Sequence, residues 1–346
     1  MKFLYATIYS AAISWFIIFL FSRSSTLRSL DKHNNLQDFH LNPTPRFGGI
    51  AIFASIFLAV FVNGESEFIE PRLFVLSFLI LALGLFEDIF SVIKPIYRFI
   101  FLAVVVTITV IHFELEITSL EVDAIDFFLK FDTLSILFTV FVVLGAINAV
   151  NIIDGFNGLM LGYSLLVFSI LFFISSEIGF EPISTNLPIY IGAILGVLFF
   201  NYPRGKIFSG DCGSYFLGFL LTYSILYLSI RNHNVSIWIG VLLLIYPLYE
   251  TLFSIFRKLF IRKKDPMRPD KLHLHMLIYH KYFRMLKLST VTKNSLTSLP
   301  ILLICTIFSV PVIFFYNNSK VLVFLSVLFM IFYTTFYFYL LRRRLH

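Results

Sequence analysis

Charge is scarce in this sequence. Acidic and basic residues make up only 14% of its 346 residues, where an ordinary soluble domain carries about a quarter. That scarcity argues against a soluble globular fold, and no Ser/Gly-rich linker, soluble segment or internal repeat interrupts the chain. Cysteine is rarer still: Cys212 and Cys305 lie in different apolar stretches without metal-ligand spacing and read as packing thiols. Strict alternation of apolar and polar residues is also missing. Lipid leaves backbone groups no partners but each other, so a spanning chain is either helical or a closed barrel. The missing alternation removes the barrel.

What is abundant is apolar surface, at 58% of the residues, with 44 Phe among them. A bilayer-spanning helix needs about 20 mostly apolar residues. Such runs recur near 3–22, 47–62, 72–86, 96–112, 134–150, 159–174, 187–200, 214–230, 236–256, 297–316 and 321–341. The first run is long for a secretory signal and is followed by Arg23 and Arg28, so it reads as a retained helix. The expectation is an all-α polytopic membrane protein of about eleven spans. It forms one domain over 1–346, with a basic loop at about 257–296. With the N-terminus outside and the C-terminus cytoplasmic, most of the 27 Lys and Arg fall inside. Only Lys2, Arg72, Lys130, Arg231 and Lys320 stay on the other face. That asymmetry obeys the positive-inside rule, so the net charge of +7 reports topology rather than affinity for nucleic acid.

The same topology puts every unusual polar cluster on the inner face. The first, DKHNNLQDFHLNPTPRFGGI, holds Asp31, Lys32, His40, Arg46 and the Gly48-Gly49 pair, which lets backbone approach a ligand or a neighbouring helix. The second ends an apolar run with Glu87 and Asp88; Pro95 then suits the first turn of the next helix and puts Arg98 near its positive end. In the third, NAVNIIDGFNGL, helical spacing aligns Asn148, Asn151 and Asp154, and Gly155 and Gly158 break the helix beside the acid. The fourth, KIFSGDCGSYFLGF, reads as a loop opening a helix: its free N–H groups suit phosphate, and Asp211 suits a hard cation. The fifth carries His273, His275 and His280 beside Asp270 and Lys271. Diphosphate binding is the favoured use of these imidazoles, and a zinc site is the alternative. Glu250, inside a span, is expected to pair with a basic loop residue.

Acids, amides, cations and imidazoles on one membrane face fit phosphoryl chemistry between a soluble nucleotide donor and a lipid acceptor. In motif order and number of spans, nearly the whole chain resembles the polyprenyl-phosphate N-acetylhexosamine-1-phosphate transferases. NAVNIIDGFNGL and KIFSGDCGSYFLGF are the specific parts, RPDKLHLH is similar to the family's histidine motif, and DK…H…PTPRFGG matches more loosely. The resemblance implies transfer of an N-acetylhexosamine-1-phosphate from a UDP-sugar to polyprenyl (undecaprenyl) phosphate, with release of UMP, in a bacterial plasma membrane. It implies Asp211 as ligand of magnesium, or of manganese in its place. Glu87, Asp88 and Asp154 become the catalytic acids. His40, Arg98, Asn148, Asn151, Gly155, Asn157, Asn201, Lys206, His273 and His275 become the substrate contacts. The lipid bilayer is a partner, nucleic acid is not, and a homodimer is compatible with the chain.

The chain departs from the family pattern in four places. Glu87 stands where the family has the first Asp of a pair, Asn157 replaces the second acid of DGxDGL, Met276 replaces a histidine of some members, and Leu36 and Gln37 replace basic residues. These departures favour a branch that initiates a surface polysaccharide over the peptidoglycan branch. N-acetylglucosamine, N-acetylgalactosamine and a 6-deoxy amino sugar all fit the motifs. Direct attack by the acceptor phosphate is the favoured mechanism; an aspartyl-phosphate on Asp88 is the alternative. The competing classes are a transporter or flippase, a scaffold, and a glycosyltransferase releasing UDP.

Overall fold

The computed structural model describes residues 1–25, 43–61, 70–261, 263 and 272–342. Asp31, Lys32, Leu36, Gln37, His40, Asp270 and Lys271 therefore lie outside the described residues. All regular structure described is helical. The helices used below are α1 (Lys2–Arg23), α2 (Gly48–Phe61), α3 (Pro71–Phe90), α4 (Pro95–Phe113), α5 (Asp132–Ile152), α6 (Leu159–Glu177), α7 (Leu187–Asn201), α8 (Gly210–Arg231), α9 (Ile245–Phe256), α10 (Leu274–Ile278), α11 (Thr290–Ser309) and α12 (Ser319–Arg342).

Among the described residues, nine helices are long and apolar enough to cross a membrane. They match nine of the eleven expected runs. The other two differ in form. Helix α2 has 14 residues, and the run at 236–256 is split into Ile239–Leu243 and α9 by Leu244, at φ −110° and ψ 14°. Pro247 accounts for the split, because it has no N–H for the carbonyl of Leu243 four residues back. The Tyr163 hydroxyl donates to that carbonyl instead.

Proline also starts helices: Pro71 and Pro95 stand in the first turns of α3 and α4, where a missing N–H costs nothing. Helix α11 is capped by Ser289, whose hydroxyl accepts from the Thr292 N–H.

Helix α8 is the axis of the fold. Across its apolar window 89% of residues are buried, against 17% in α1, and α2, α3, α5 and α6 pack around it. Small residues permit that approach, as expected where lipid supplies no hydrophobic drive between helices. A Cβ at Gly84 of α3 would lie 2.5 Å from Cys212 backbone, and one at Gly49 of α2 would strike the backbone of Gly213. The Gly48-Gly49 pair thus serves helix-to-helix contact. Backbone bonds extend it: Gly48 N–H to Phe208 O, Gly49 N–H to Ser209 O and Phe208 N–H to Pro45 O. Large exposed side chains such as Phe141 and Phe314 leave the outer faces of the bundle apolar.

Candidate active site

Three helix termini meet at one end of α8. The last turn of α3 brings Glu87 and Asp88, the first turn of α4 brings Arg98, and the start of α8 brings Asp211. Asp88 closes the junction: one carboxylate oxygen accepts the Asp211 N–H at 2.9 Å and the other accepts the Cys212 N–H at 3.0 Å. A helix N-terminus favours an anion through its free N–H groups and its dipole. Those N–H groups were expected to hold a phosphate; here the chain's own Asp88 takes them. Gly210, at φ 73°, makes room, since a Cβ there would meet the Asp88 carboxylate and the Arg46 carbonyl.

Glu87 is held differently. Its Oε1 lies 3.2 Å from the Arg98 guanidinium, which lies 3.8 Å from Asp211 Oδ2. Its Oε2 is buried and has no hydrogen-bond partner among the described residues. The Asn151 amide donates to Asp211 Oδ1 at 3.0 Å and to the Ser214 hydroxyl at 2.7 Å. The Asp211 side chain keeps 33% of its surface exposed, more than Glu87 or Arg98.

This donor set fits a magnesium ion arriving with substrate. Magnesium uses one or two carboxylates and completes its shell with phosphate and water. Asp211 is the accessible carboxylate, and the unpartnered Glu87 oxygen has spare capacity for a proton or a cation. A zinc site would need a denser cluster. Among the described residues, no three or more His, Cys, Asp or Glu side chains are grouped to hold a metal.

The turn after α5 supplies the next wall. The helix ends at Ile152, so Asp154 sits in the turn beyond it, its N–H bonded to the Asn151 carbonyl. The charge of Asp211, to which the Asn151 amide donates, still reaches Asp154. Burial pushes its carboxyl from 3.8 up to about 7; the charge of Asp211 adds to the shift and Arg46 opposes it. Asn148 turns back on its own helix, donating to the Leu144 carbonyl. Gly155 faces the histidines, since a Cβ there would lie 3.6 Å from His275 Nε2.

The histidines stand where α9 meets α10. His273 is the extended N-cap of α10 (φ −64°, ψ 150°) and His275 lies in its first turn; their rings lie 9° from parallel with centroids 5.3 Å apart. The two rings thus share a face although only His273 is extended and His275 is already helical, which corrects the expectation that a shared face needs extended backbone. His273 Nδ1 bonds to Glu250 Oε1 at 2.8 Å, so the intramembrane acid does pair with a basic loop residue. His275 Nδ1 meets the Tyr246 hydroxyl at 3.1 Å, and Phe156 packs edge-on to its ring. Burial lowers the His275 pKa to about 3, against the opposing pull of Glu250, so this ring stays neutral. Arg257, counted in the basic loop, turns inward at 3% exposure and donates to the Leu272 carbonyl and the Tyr337 hydroxyl.

Two asparagines expected to contact substrate instead brace the turn. Asn201 accepts the Gly158 N–H and donates to the Ile207 carbonyl, both at 2.7 Å. The backbone N–H of Asn157 bonds to Asn294 and its amide to Ser295, while its carbonyl accepts the Ser298 hydroxyl. Both residues are under 5% exposed. Lys206 is exposed on the loop between α7 and α8. Ser214, Tyr246 and Tyr333 were not singled out from sequence. Tyr333 and Tyr337, four residues apart on α12, carried a weak signal as a polar stripe in an apolar helix.

Comparison with known proteins gives the family. A family model for glycosyl transferase family 4 matches residues 71–229, which contain the acid junction and the Asn151–Asp154 turn. A Bacillus subtilis protein named "Probable undecaprenyl-phosphate N-acetylglucosaminyl 1-phosphate transferase" is 31% identical over 251 residues, covering 71% of this chain and 68% of its own. The chain belongs to glycosyl transferase family 4. Within the family it is also similar to the undecaprenyl-phosphate alpha-N-acetylglucosaminyl 1-phosphate transferase of Thermotoga maritima, 26% identical over 79% of this chain and 81% of the relative. The Salmonella typhi protein of the same name is 28% identical over 77% and 73%. The family model ends before the histidines, at residue 229, so the His273–Glu250 pair lies beyond the matched region.

Proposed function

We propose that this family 4 protein transfers an N-acetylhexosamine-1-phosphate from a UDP-sugar to polyprenyl phosphate, releasing UMP and forming a lipid diphosphate sugar that initiates a surface polysaccharide. The observation that carries the reading is the junction of Glu87, Arg98, Asn151 and Asp211 at the start of α8, with one carboxylate oxygen unpartnered among the described residues. The names of the relatives support the reaction class. The reading carries eleven spans, counting α2 and the broken segment ending in α9, with the N-terminus outside and the junction on the cytoplasmic face of a bacterial plasma membrane. The charge asymmetry of the loops supports that orientation.

Chemically, an acceptor phosphate oxygen attacks the β-phosphorus of the donor. The bond from that phosphorus to the bridging oxygen breaks, and UMP leaves with its α-phosphate. Magnesium bound at Asp211 would supply charge neutralisation to the diphosphate. Arg98 offers further positive charge beside it, and Asn151 fixes the Asp211 carboxylate through Oδ1. Glu87, held through Oε1 by Arg98, is the acid that receives the residual proton of the acceptor monoester. Asp88 is a poor nucleophile in this arrangement, because both its oxygens already accept backbone N–H groups. That commitment favours direct attack over a covalent intermediate. Asp154, Gly155 and the two histidines form the donor side of the cleft.

The test is product analysis with purified protein, magnesium, polyprenyl phosphate and a panel of UDP-N-acetylhexosamines. UMP release that requires both lipid and magnesium is the expected result, and the best donor identifies the sugar. Release of UDP would mean transfer of the sugar alone and would end this reading.

A further inference from the structure

Glu250 is the most enclosed acid near the cleft, at 0% exposure, and three donors converge on it. His273 Nδ1 lies 2.8 Å from Oε1, the Leu274 N–H lies 3.1 Å from Oε2, and the Tyr333 hydroxyl donates to Oε2 at 2.7 Å. A buried carboxylate is costly in an apolar interior unless paired and hydrogen-bonded. Neutral residues could cap α10 without that cost, so the carboxylate calls for a role tied to its charge. The partner ring points to one. With Nδ1–H given to Glu250, His273 Nε2 is the nitrogen left, and it has no hydrogen-bond partner among the described residues.

We propose that Glu250 is a positioning residue for the transfer: it fixes His273 with Nδ1 as donor and supplies the counter-charge of an imidazolium whose Nε2–H holds a diphosphate oxygen of the donor. For both nitrogens to donate at once, the ring must carry both protons, and Glu250 stands 2.8 Å from Nδ1, where the counter-charge to that form belongs. The neighbouring groups separate the roles of the two histidines. His275, stacked on His273, meets a neutral phenol at Tyr246 and stays uncharged. Arg257 is occupied by the Leu272 carbonyl, Ser254 and Tyr337, and the Tyr333 hydroxyl donates a hydrogen bond to Glu250. The charge at the donor end of the cleft is thereby assigned to His273 through Glu250.

The inference rests on the reading of His273 as a donor contact, and the variants separate the two. Glu250→Gln keeps size and hydrogen-bonding capacity while removing the charge. Expected are a kcat/KM for the UDP-sugar about 100-fold below wild type, a Tm within a few degrees, and a double variant with His273→Ala no slower than His273→Ala alone. A crippled His273→Ala enzyme beside a fully active Glu250→Gln one would overturn the Glu250 role and leave the transferase reading standing. An unimpaired His273→Ala enzyme would remove the donor contact itself. Should Glu250→Gln fail to fold, nitrogen-15 spectra of histidine-labelled wild-type protein, assigned with His273→Asn, carry the test. Both His273 nitrogens protonated with UDP bound is the expected result; an Nδ1 without a proton overturns the proposal.

Discussion

The acid junction and the histidine pair both hold charge at the edge of the helical bundle, and they satisfy it in opposite ways. At the histidine pair, Glu250 meets three donors at 2.7–3.1 Å, and Arg257 meets three oxygens at 2.7–3.2 Å. At the acid junction the ion pairs are 3.2 and 3.8 Å, Asp211 is one-third exposed, and a Glu87 oxygen has no partner among the described residues. A buried carboxylate whose two oxygens both accept hydrogen bonds is held rigidly, and one with an unmet oxygen is costly unless something else completes it. The difference suits a rigid wall that orients a ligand and a reacting edge completed by substrate and metal. Asp88 belongs to the wall although it neighbours Glu87 in sequence.

Four experiments break or sharpen that contrast. Asp211→Asn removes the accessible carboxylate and is expected to lower kcat by about 1,000-fold or more, with Tm nearly unchanged; a magnesium titration of UMP release checks it, and near-wild-type turnover would sink the metal assignment. Glu87→Gln should lower kcat by about 100-fold with little change in either KM, because it removes a proton acceptor and not a binding contact. Steady-state kinetics in both substrates separate these. Asp88→Asn puts an amide where two N–H groups need acceptors, so it should cost about 1–3 kcal/mol of stability and slow turnover roughly tenfold by displacing Asp211. Complete loss of turnover in a variant of wild-type Tm would restore Asp88 as a nucleophile. The smallest effect belongs to Asp154→Asn. The folded-state pKa of Asp154 is raised from 3.8 to about 7, so the folded state binds the proton more tightly than the unfolded chain. Its stabilising contribution is complete below about pH 4 and is lost as the pH rises through about 7. In metal-free buffer, Tm of the wild type should fall across that window more steeply than Tm of Asp154→Asn; parallel curves would contradict the shift.

Helix identity was legible because apolar runs of span length leave few alternatives in lipid. Pro95, the glycine pairs and the acid pair were legible because each is a strong local signal. Where the reading strayed, the competing partner was distant in sequence. Asp88 lies 123 residues before the N–H group it caps, so the start of α8 looked like an open anion seat. Asn157 and Asn201 sit in motifs rich in site residues, yet their bonds go to α11 and to the loop before α8. Glu250 was legible as a charge needing a partner, while the identity of that partner depended on the fold.

By itself, then, the sequence determined a helical membrane chain, the loops that carry its chemistry and the family to which those motifs belong. These follow from local composition and spacing, which act within a helix or a loop. Only the tertiary structure decided which of two adjacent acids caps a helix and which keeps a free oxygen, and which of two alternating histidines meets a carboxylate. Hydrogen bonds are directional and reach about 3 Å, so those assignments exist only once distant helix ends have been brought together around α8.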